Sequence, residues 1–120
     1  MVLVVEDEVL IRTMVADVLR EEGLAVVEAT TADEALVVLC GSIPIGALLT
    51  DIRMPGSMDG LELARVARDN SPSLKIVVLS SHMERRPDTE FIDAFLAKPF
   101  NLTALADMVV RLMSETRGAV

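Results

Sequence analysis

Five short apolar segments recur along the 120 residues, and a stretch of helical periodicity or polar composition follows each one. Apolar runs of about four to eight residues between turn signals predict buried strands. The predicted strands are Val2–Val5, Ala25–Ala29, Ala47–Asp51, Lys75–Ser81 and Asp93–Ala97. Strands that alternate with helices form a parallel sheet covered by helices on both faces. The sequence therefore predicts an α/β fold with one doubly wound, five-stranded parallel sheet.

Helical periodicity and capping residues define the connections between these strands. The predicted helices run from Val9 to about Glu22, from the cap Thr31 to about Cys40, from Leu61 to Asp69, and from the cap Asn101 to near Glu115. Residues 82–90 are polar and contain Pro87, so the fourth of five helices should be short, irregular or absent. The flavodoxin-like strand order 2-1-3-4-5 suits five such units and has its switch point between strands 1 and 3. No linker or repeat interrupts the chain, so residues 1–120 are predicted to form one domain.

Charge and composition exclude several kinds of protein. The net charge is −8 without any basic block, which argues against direct binding of nucleic acid, because phosphate contacts need a basic face. The chain shows no signal peptide and no apolar run long enough to span a membrane, so we expect a cytoplasmic protein without membrane association. The single cysteine, Cys40, excludes an internal disulfide, as expected in a reducing cytosol.

Polar side chains follow four of the predicted strands at one edge of the sheet. Glu6 and Asp7 follow strand 1, Asp51 ends strand 3, Ser80 lies in strand 4 and Lys98 follows strand 5. Two carboxylates ~4 Å apart repel by about 4 kcal/mol at an effective dielectric constant near 20, so the cluster needs protons, a lysine or a cation. Oxygen ligands with open positions suit Mg²⁺. Together with a hydroxyl and an ammonium group, this set describes a phosphoryl-transfer site with Asp51 as nucleophile.

The motifs around these residues resemble those of a known family along nearly the whole chain. They read Val-Val-Glu6-Asp7, Thr-Asp51-Ile-Arg-Met-Pro55, Asp59-Gly-Leu-Glu62, Val-Leu-Ser80 and Phe-Leu-Ala-Lys98-Pro-Phe. In this order they are similar to the motifs of receiver domains of response regulators. The resemblance implies a phosphoacceptor signalling domain of a two-component or phosphorelay pathway. Its partner would be a sensor histidine kinase or a histidine phosphotransfer protein, whose phosphohistidine transfers its phosphoryl group to Asp51.

The resemblance also implies a metal site for Mg²⁺, or Mn²⁺ in its place. Asp7 and Asp51 would be direct ligands, together with the backbone carbonyl of Arg53. Glu6 would act through a water molecule. The same likeness implies a cis peptide bond before Pro99, which would aim the preceding lysine at the site.

Further residues receive switching or tuning roles from the resemblance. Ser80 would turn toward the phosphoryl group as the switch hydroxyl, and Lys98 would contact that group. Phe95 matches the aromatic switch position, although a phenylalanine there is equally a plain core residue. Arg53 and His82 would tune the lifetime of the phosphoryl group, although His82 is equally an exposed loop histidine. We expect phosphorylation to change a surface near strands 4 and 5 that meets an unknown downstream protein.

Two other functions are compatible with parts of the pattern. A Mg²⁺-dependent phosphatase or phosphotransferase with an aspartyl intermediate usually carries a second acid two residues after the nucleophile, where this chain has Arg53. A receiver-like interaction module that works without phosphorylation would not need the complete acidic, hydroxyl and lysine set. We therefore expect self-catalysed phosphorylation and slow dephosphorylation, not a turnover enzyme. No output domain follows, so the chain is either a stand-alone receiver or the receiver part of a larger protein.

Overall fold

The computed structural model describes residues 1–80 and 90–115, which contain five strands and four helices. The strands are β1 (Val2–Val5), β2 (Val26–Ala29), β3 (Ala47–Asp51), β4 (Lys75–Ser80) and β5 (Ala94–Ala97). The helices are α1 (Val9–Glu21), α2 (Ala32–Leu39), α3 (Gly60–Asn70) and α4 (Leu102–Ser114). The expected short helix within 82–90 falls almost wholly outside the described residues, as does His82, so both expectations stay predictions.

The sheet has the predicted topology. All five strands run parallel, in the order β2-β1-β3-β4-β5, which confirms the flavodoxin-like arrangement. β1 therefore lies between β2 and β3, and the chain reverses its winding direction at this point. In the register of β1 and β3, Val5 pairs with Thr50. The residues that follow this pair, Glu6 and Asp51, consequently lie side by side at the carboxyl edge of the sheet.

Alternating side chains of the strands build a hydrophobic core on each face of the sheet. On one face Leu3 and Leu48 pack in a cluster that includes Leu63 of α3. On the other face Leu49 packs in a cluster that includes Leu19 of α1 and residues of α4. Strands of a parallel sheet that are buried on both faces are continuously apolar, which explains the runs in the sequence. Each fully buried leucine contributes roughly 1.5–3 kcal/mol of transfer free energy.

Capping residues fix where three of the helices begin. The side chains of Thr31 and Asn101 accept hydrogen bonds from backbone N–H groups of the first turns of α2 and α4, as predicted. Asp59 and Glu62 form a reciprocal capping box at the start of α3. A cap of this kind contributes about 1 kcal/mol. The Asp59 cap therefore defines the start of α3 directly after the loop that follows Asp51.

A half-buried arginine joins α3 to the start of β5. Arg68 donates to the backbone carbonyls of Leu74 at 2.7 Å and Phe91 at 3.1 Å, and to Asp93 Oδ2 at 2.7 Å. The same Asp93 oxygen accepts the backbone N–H of Ile76 at 2.7 Å. These bonds hold β5 in register beside β4, and so position the residue that follows β5, which is Lys98. The spacing of the sequence gave no sign of this network, because its members are far apart along the chain.

Candidate functional site

Three acidic side chains meet at the carboxyl edge of the sheet. Glu6 and Asp7 follow β1, and Asp51 is the last residue of β3. One carboxylate oxygen from each lies within 4.8 Å of the others. Glu6 is 1% exposed and Asp51 4% exposed, whereas Asp7 is exposed. Two of the three carboxylates are therefore largely shielded from water and depend on the protein, or on a bound cation, for compensating charge.

Lys98 brings a positive charge into this cluster. Its Nζ donates to Asp51 Oδ2 at 2.9 Å and to Glu6 Oε1 at 3.4 Å. Its backbone N–H donates to the Ser80 carbonyl at 2.6 Å, and the Lys98–Pro99 peptide bond is cis, as expected. Burial lowers the pKa of Lys98, but the hydrogen bond and charge of Asp51, with those of Glu6, outweigh burial and raise that pKa overall. Lys98 is consequently a fixed ammonium group at the site.

Lys98 alone does not provide a hydrogen-bond donor for every buried oxygen of the acidic cluster. Within the described part of the chain, two of its buried oxygens, Glu6 Oε2 and Asp51 Oδ1, have no hydrogen-bond partner. A buried acceptor without a donor costs about 1–3 kcal/mol. Three oxygen-bearing acids with spare lone pairs match the ligand preference of Mg²⁺, which retains several waters beside a few carboxylates. The residues present therefore fit a hard divalent cation.

The environment of Glu6 changes its acidity. Burial first, and then the charge and hydrogen bond of Asp51, raise the pKa of Glu6 from 4.5 to about 7, although Lys98 opposes this shift. Below that pKa the proton on Glu6 relieves its repulsion with Asp51. Above it, the two carboxylates need a cation between them.

This shift predicts a pH-dependent loss of stability in chelator-treated protein. The folded pKa of Glu6 lies above its ordinary value, so the stabilisation is complete below pH 4.5 and is lost as the pH rises through about 7. The full effect is on the order of 3 kcal/mol. Urea unfolding at about pH 5 and about pH 8 should show the difference in unfolding free energy between the wild type and Glu6→Gln shifting by most of this amount, since pH 5 already lies slightly above 4.5.

The exposed Glu21 provides the control for this measurement. Glu21→Gln should keep the wild-type pH dependence, because that side chain lies at the end of α1, away from the acidic cluster. If the wild type and Glu6→Gln respond identically to pH, Glu6 does not titrate as described.

The remaining predicted site residues lie around this centre. Ser80 is 2% exposed at the end of β4. Phe95 of β5 is half-buried and packs against one of the two core clusters. Arg53 is exposed in the turn after β3. The roles assigned to these three residues stay predictions, as do those of the acids and Lys98.

The backbone of Asp51 is tightly enclosed, which sequence reasoning did not anticipate. Thr50 Oγ1 donates to the Asp51 carbonyl at 2.9 Å, and the Gly60 N–H donates to the Ile52 carbonyl at 2.8 Å. A Cβ atom on Gly60 would overlap the Asp51 carbonyl oxygen and lie 2.7 Å from its carbonyl carbon. The first residue of α3 therefore rests directly on the peptide of Asp51, and only glycine fits there. The motif Asp59-Gly60 was the available signal.

An apolar cavity of about 360 Å³ lies beside the site, between α1 and the segment after β5. Its lining includes Ile11 and Met14 of α1, Phe100, and Lys98. Met14 is 45% exposed, and Leu10, four residues earlier on α1, is 71% exposed. Apolar surface adjoining the acidic cluster is suited to contact with another protein.

Comparisons with known proteins agree with this geometry. The family model of the response regulator receiver domain matches residues 2–110. The putative response regulator NtrX-like protein of Rickettsia bellii is 31% identical over 121 residues, covering 97% of this chain and 25% of that protein. Sensor kinase CckA of Brucella abortus is 34% identical over 121 residues, covering 95% of this chain and 12% of that protein. The chain thus spans about a quarter or less of the length of these relatives.

Solved structures show the same fold. The receiver domain of NtrX from Brucella abortus superposes with a TM-score of 0.83 at 31% identity, covering 97% of this chain and all of that one (100%). The response regulator protein TrrA of Thermotoga maritima, in complex with Mg(2+)-BeF, gives a TM-score of 0.83 at 33% identity, covering 92% and 96% of the two chains. Among the helices of the described residues, none is sufficiently long and apolar to cross a bilayer. The chain therefore belongs to the response regulator receiver domain family of two-component signalling.

Proposed function

We propose that this chain is a cytoplasmic phosphoacceptor in which Asp51 receives a phosphoryl group from a phosphohistidine. The observation that carries the proposal is the state of the Asp51 carboxylate. One oxygen is held by Lys98 at 2.9 Å, and the other is buried without a donor. The carboxylate is thus oriented, and it retains an oxygen that can form a new bond. In the transfer, the P–N bond of the donor breaks as a P–O bond to Asp51 forms.

Asp51, Asp7 and Glu6 would hold Mg²⁺ or Mn²⁺, with the Arg53 carbonyl as a further ligand. Their clustered oxygens and the two buried acceptors without partners support this assignment. A bound divalent cation would neutralise negative charge on the acids and on the phosphoryl oxygens. The relative TrrA was crystallised with Mg(2+)-BeF, which is consistent with such a site here.

Lys98 and Ser80 would respond to the arriving phosphoryl group. Lys98 already spans Asp51 and Glu6, so its ammonium group can move to phosphoryl oxygens with little displacement. Its backbone bond to the Ser80 carbonyl couples the ends of β4 and β5. A turn of the Ser80 hydroxyl toward the phosphoryl group, with movement of Phe95, would shift the population toward an active surface near these strands.

The apolar cavity next to Lys98 supports docking of the donor protein on this side. The exposed Met14 of α1 lines the cavity, the exposed Leu10 lies about one turn earlier on the same helix, and Lys98 connects the cavity to Asp51. A donor that carries a phosphohistidine would bury this apolar surface while its histidine reaches the acidic cluster. A sensor histidine kinase or a histidine phosphotransfer protein has this chemistry.

A function as an aspartyl-phosphate phosphatase has less support. The residue two positions after Asp51 is Arg53, a cation with no ability to act as the general acid on a leaving group at neutral pH. We therefore assign self-catalysed phosphorylation and slow dephosphorylation to the site, without turnover of an external phosphoester.

Incubation with acetyl phosphate tests the proposal. Intact mass spectrometry should show one added phosphoryl group in the presence of Mg²⁺ and none in the presence of a chelator. The adduct should be lost on mild alkaline treatment, as expected of an acyl phosphate. Continuous hydrolysis of phosphoesters would favour the phosphatase, and the absence of any adduct under all conditions would favour a phosphorylation-independent interaction module.

A further inference from the structure

The peptide bond that joins Glu6 to Asp7 is held through its carbonyl group. The preceding peptide, Val5–Glu6, is fixed to the sheet, because the Glu6 N–H donates to the Ala29 carbonyl of β2 at 3.1 Å. The Glu6 carbonyl accepts a hydrogen bond from Arg12 Nη1 at 2.9 Å. Glu6 follows the last residue of β1, so this carbonyl lies where the regular strand ends. Arg12 therefore fixes the plane of the peptide directly before Asp7.

The orientation of the Glu6–Asp7 peptide determines the directions of the Glu6 and Asp7 side chains. Glu6 is buried against Lys98 and Asp7 is exposed, yet their carboxylates converge with that of Asp51 within 4.8 Å. Adjacent residues in extended backbone project to opposite sides. Convergence of neighbouring side chains thus depends on the backbone geometry at their shared peptide, which a rotation of the Glu6 carbonyl would alter.

Arg12 is itself anchored. Its Nε lies 3.2 Å from Glu28 Oε1 of β2, and its side chain is only 14% exposed. Glu28 Oε2 also pairs with Arg20 Nη1 at 3.2 Å, and Arg20 donates to the Val26 carbonyl at 3.2 Å. The two arginines thus share a carboxylate and a helix, but Arg20 contacts β2 and Asp17, whereas Arg12 contacts the Glu6 carbonyl. A substitution of Arg20 is therefore a suitable control for the same substitution of Arg12.

We propose that Arg12 is a positioning residue for the cation site, which orients Glu6 and Asp7 through the carbonyl between them. This inference rests on the proposed function, because the acids are positioned for the divalent cation used in phosphoryl transfer. Arg12 would contact neither the cation nor the phosphoryl group, because its side chain is bound to the Glu6 carbonyl and to Glu28. It acts through the backbone, in the way that partners outside the ligand set orient metal ligands.

The test compares Arg12→Met with Arg20→Met in the full chain. Both changes remove one cation of α1 and one bond to Glu28, but only the first releases the Glu6 carbonyl. Calorimetric titration with Mg²⁺ should show about tenfold weaker binding in Arg12→Met, and binding within about twofold of the wild type in Arg20→Met. Arg12→Lys, which keeps a charged donor on the same helix position, should recover part of the loss.

Backbone hydrogen exchange in chelator provides a readout that needs no cation. The Glu6 amide donates to the Ala29 carbonyl at the end of β1, directly beside the carbonyl that Arg12 holds, so it should exchange several-fold faster in Arg12→Met than in Arg20→Met. Equal Mg²⁺ affinity and equal exchange in the two variants would overturn the inference. A wild type that binds no Mg²⁺ and takes up no phosphoryl group would overturn the proposed function, whereas the exchange comparison would still decide whether Arg12 orders the acid pair.

Discussion

Asp51→Asn is expected to take up no phosphoryl group from acetyl phosphate and to flatten the pH dependence of stability in chelator. The first effect follows because an amide is not a nucleophile toward phosphorus under these conditions. The second follows because the charge of Asp51 is one of the causes that raise the pKa of Glu6. With that charge removed, Glu6 titrates closer to 4.5, and less of the roughly 3 kcal/mol of pH-dependent stability remains.

The control for Asp51→Asn is the same change at Asp17, an exposed acid on α1. Asp17→Asn removes one negative charge but should keep both full phosphoryl uptake and the wild-type pH profile. Intact mass and urea unfolding at about pH 5 and about pH 8 give the two readouts. Phosphoryl uptake that persists in Asp51→Asn would show that another residue is the acceptor.

Gly60→Ala is expected to lower the unfolding free energy by about 3 kcal/mol and to slow phosphoryl uptake at least about tenfold. The added Cβ would occupy the position of the Asp51 carbonyl oxygen, so α3 must move away from the end of β3. The neighbour is backbone, which cannot rotate aside as a flexible side chain can. Displacement of the Asp51 peptide also misaligns its carboxylate with Lys98, which adds a kinetic effect to the loss of stability.

Gly41→Ala is the matched control, because its added Cβ would meet only the backbone oxygens of Val38 and Val37 at 3.4 and 3.5 Å. This change should alter stability by less than about 1 kcal/mol and leave phosphoryl uptake unchanged. Denaturant unfolding and time-resolved intact mass measure the two effects. A Gly60→Ala protein as stable and as active as Gly41→Ala would mean that α3 does not constrain Asp51.

Much of the fold follows from local sequence pattern. The runs ending at Val5 and Asp51 are apolar because their strands are buried on both faces, so their ends could be located to the residue. The strand order cannot be read from one sequence, but the doubly wound order 2-1-3-4-5 was the natural candidate, because the number and alternation of units leave few right-handed arrangements, and the structure confirms it. The helix boundaries were less certain: α3 begins at Gly60, one residue before the predicted start, since its capping box begins at Asp59.

The site was predictable only to the level of which side chains share one edge of the sheet. Glu6, Asp51 and Lys98 lie at or just after the carboxyl ends of their strands, so the expected strand order brings them together. The contacts of Arg12 with the Glu6 carbonyl and of Arg68 with Asp93 join residues from separate elements, and neither leaves a periodic signal. Sequence reasoning also could not determine that Glu6 is buried and Asp7 exposed, because that difference is set by one peptide plane.

The two buried oxygens without donors, on Glu6 and Asp51, have a thermodynamic consequence for any preparation of this protein. A cation that binds the folded chain alone adds RT ln(1 + [L]/Kd), or about 2.7 kcal/mol at a hundredfold excess over Kd. Melting temperature would then report the free concentration of divalent ions as much as the sequence. Phosphate buffer lowers the concentration of free Mg²⁺, whereas Tris buffer does not. The order of mutants by melting temperature would consequently differ between the two buffers unless the free Mg²⁺ concentration is kept the same.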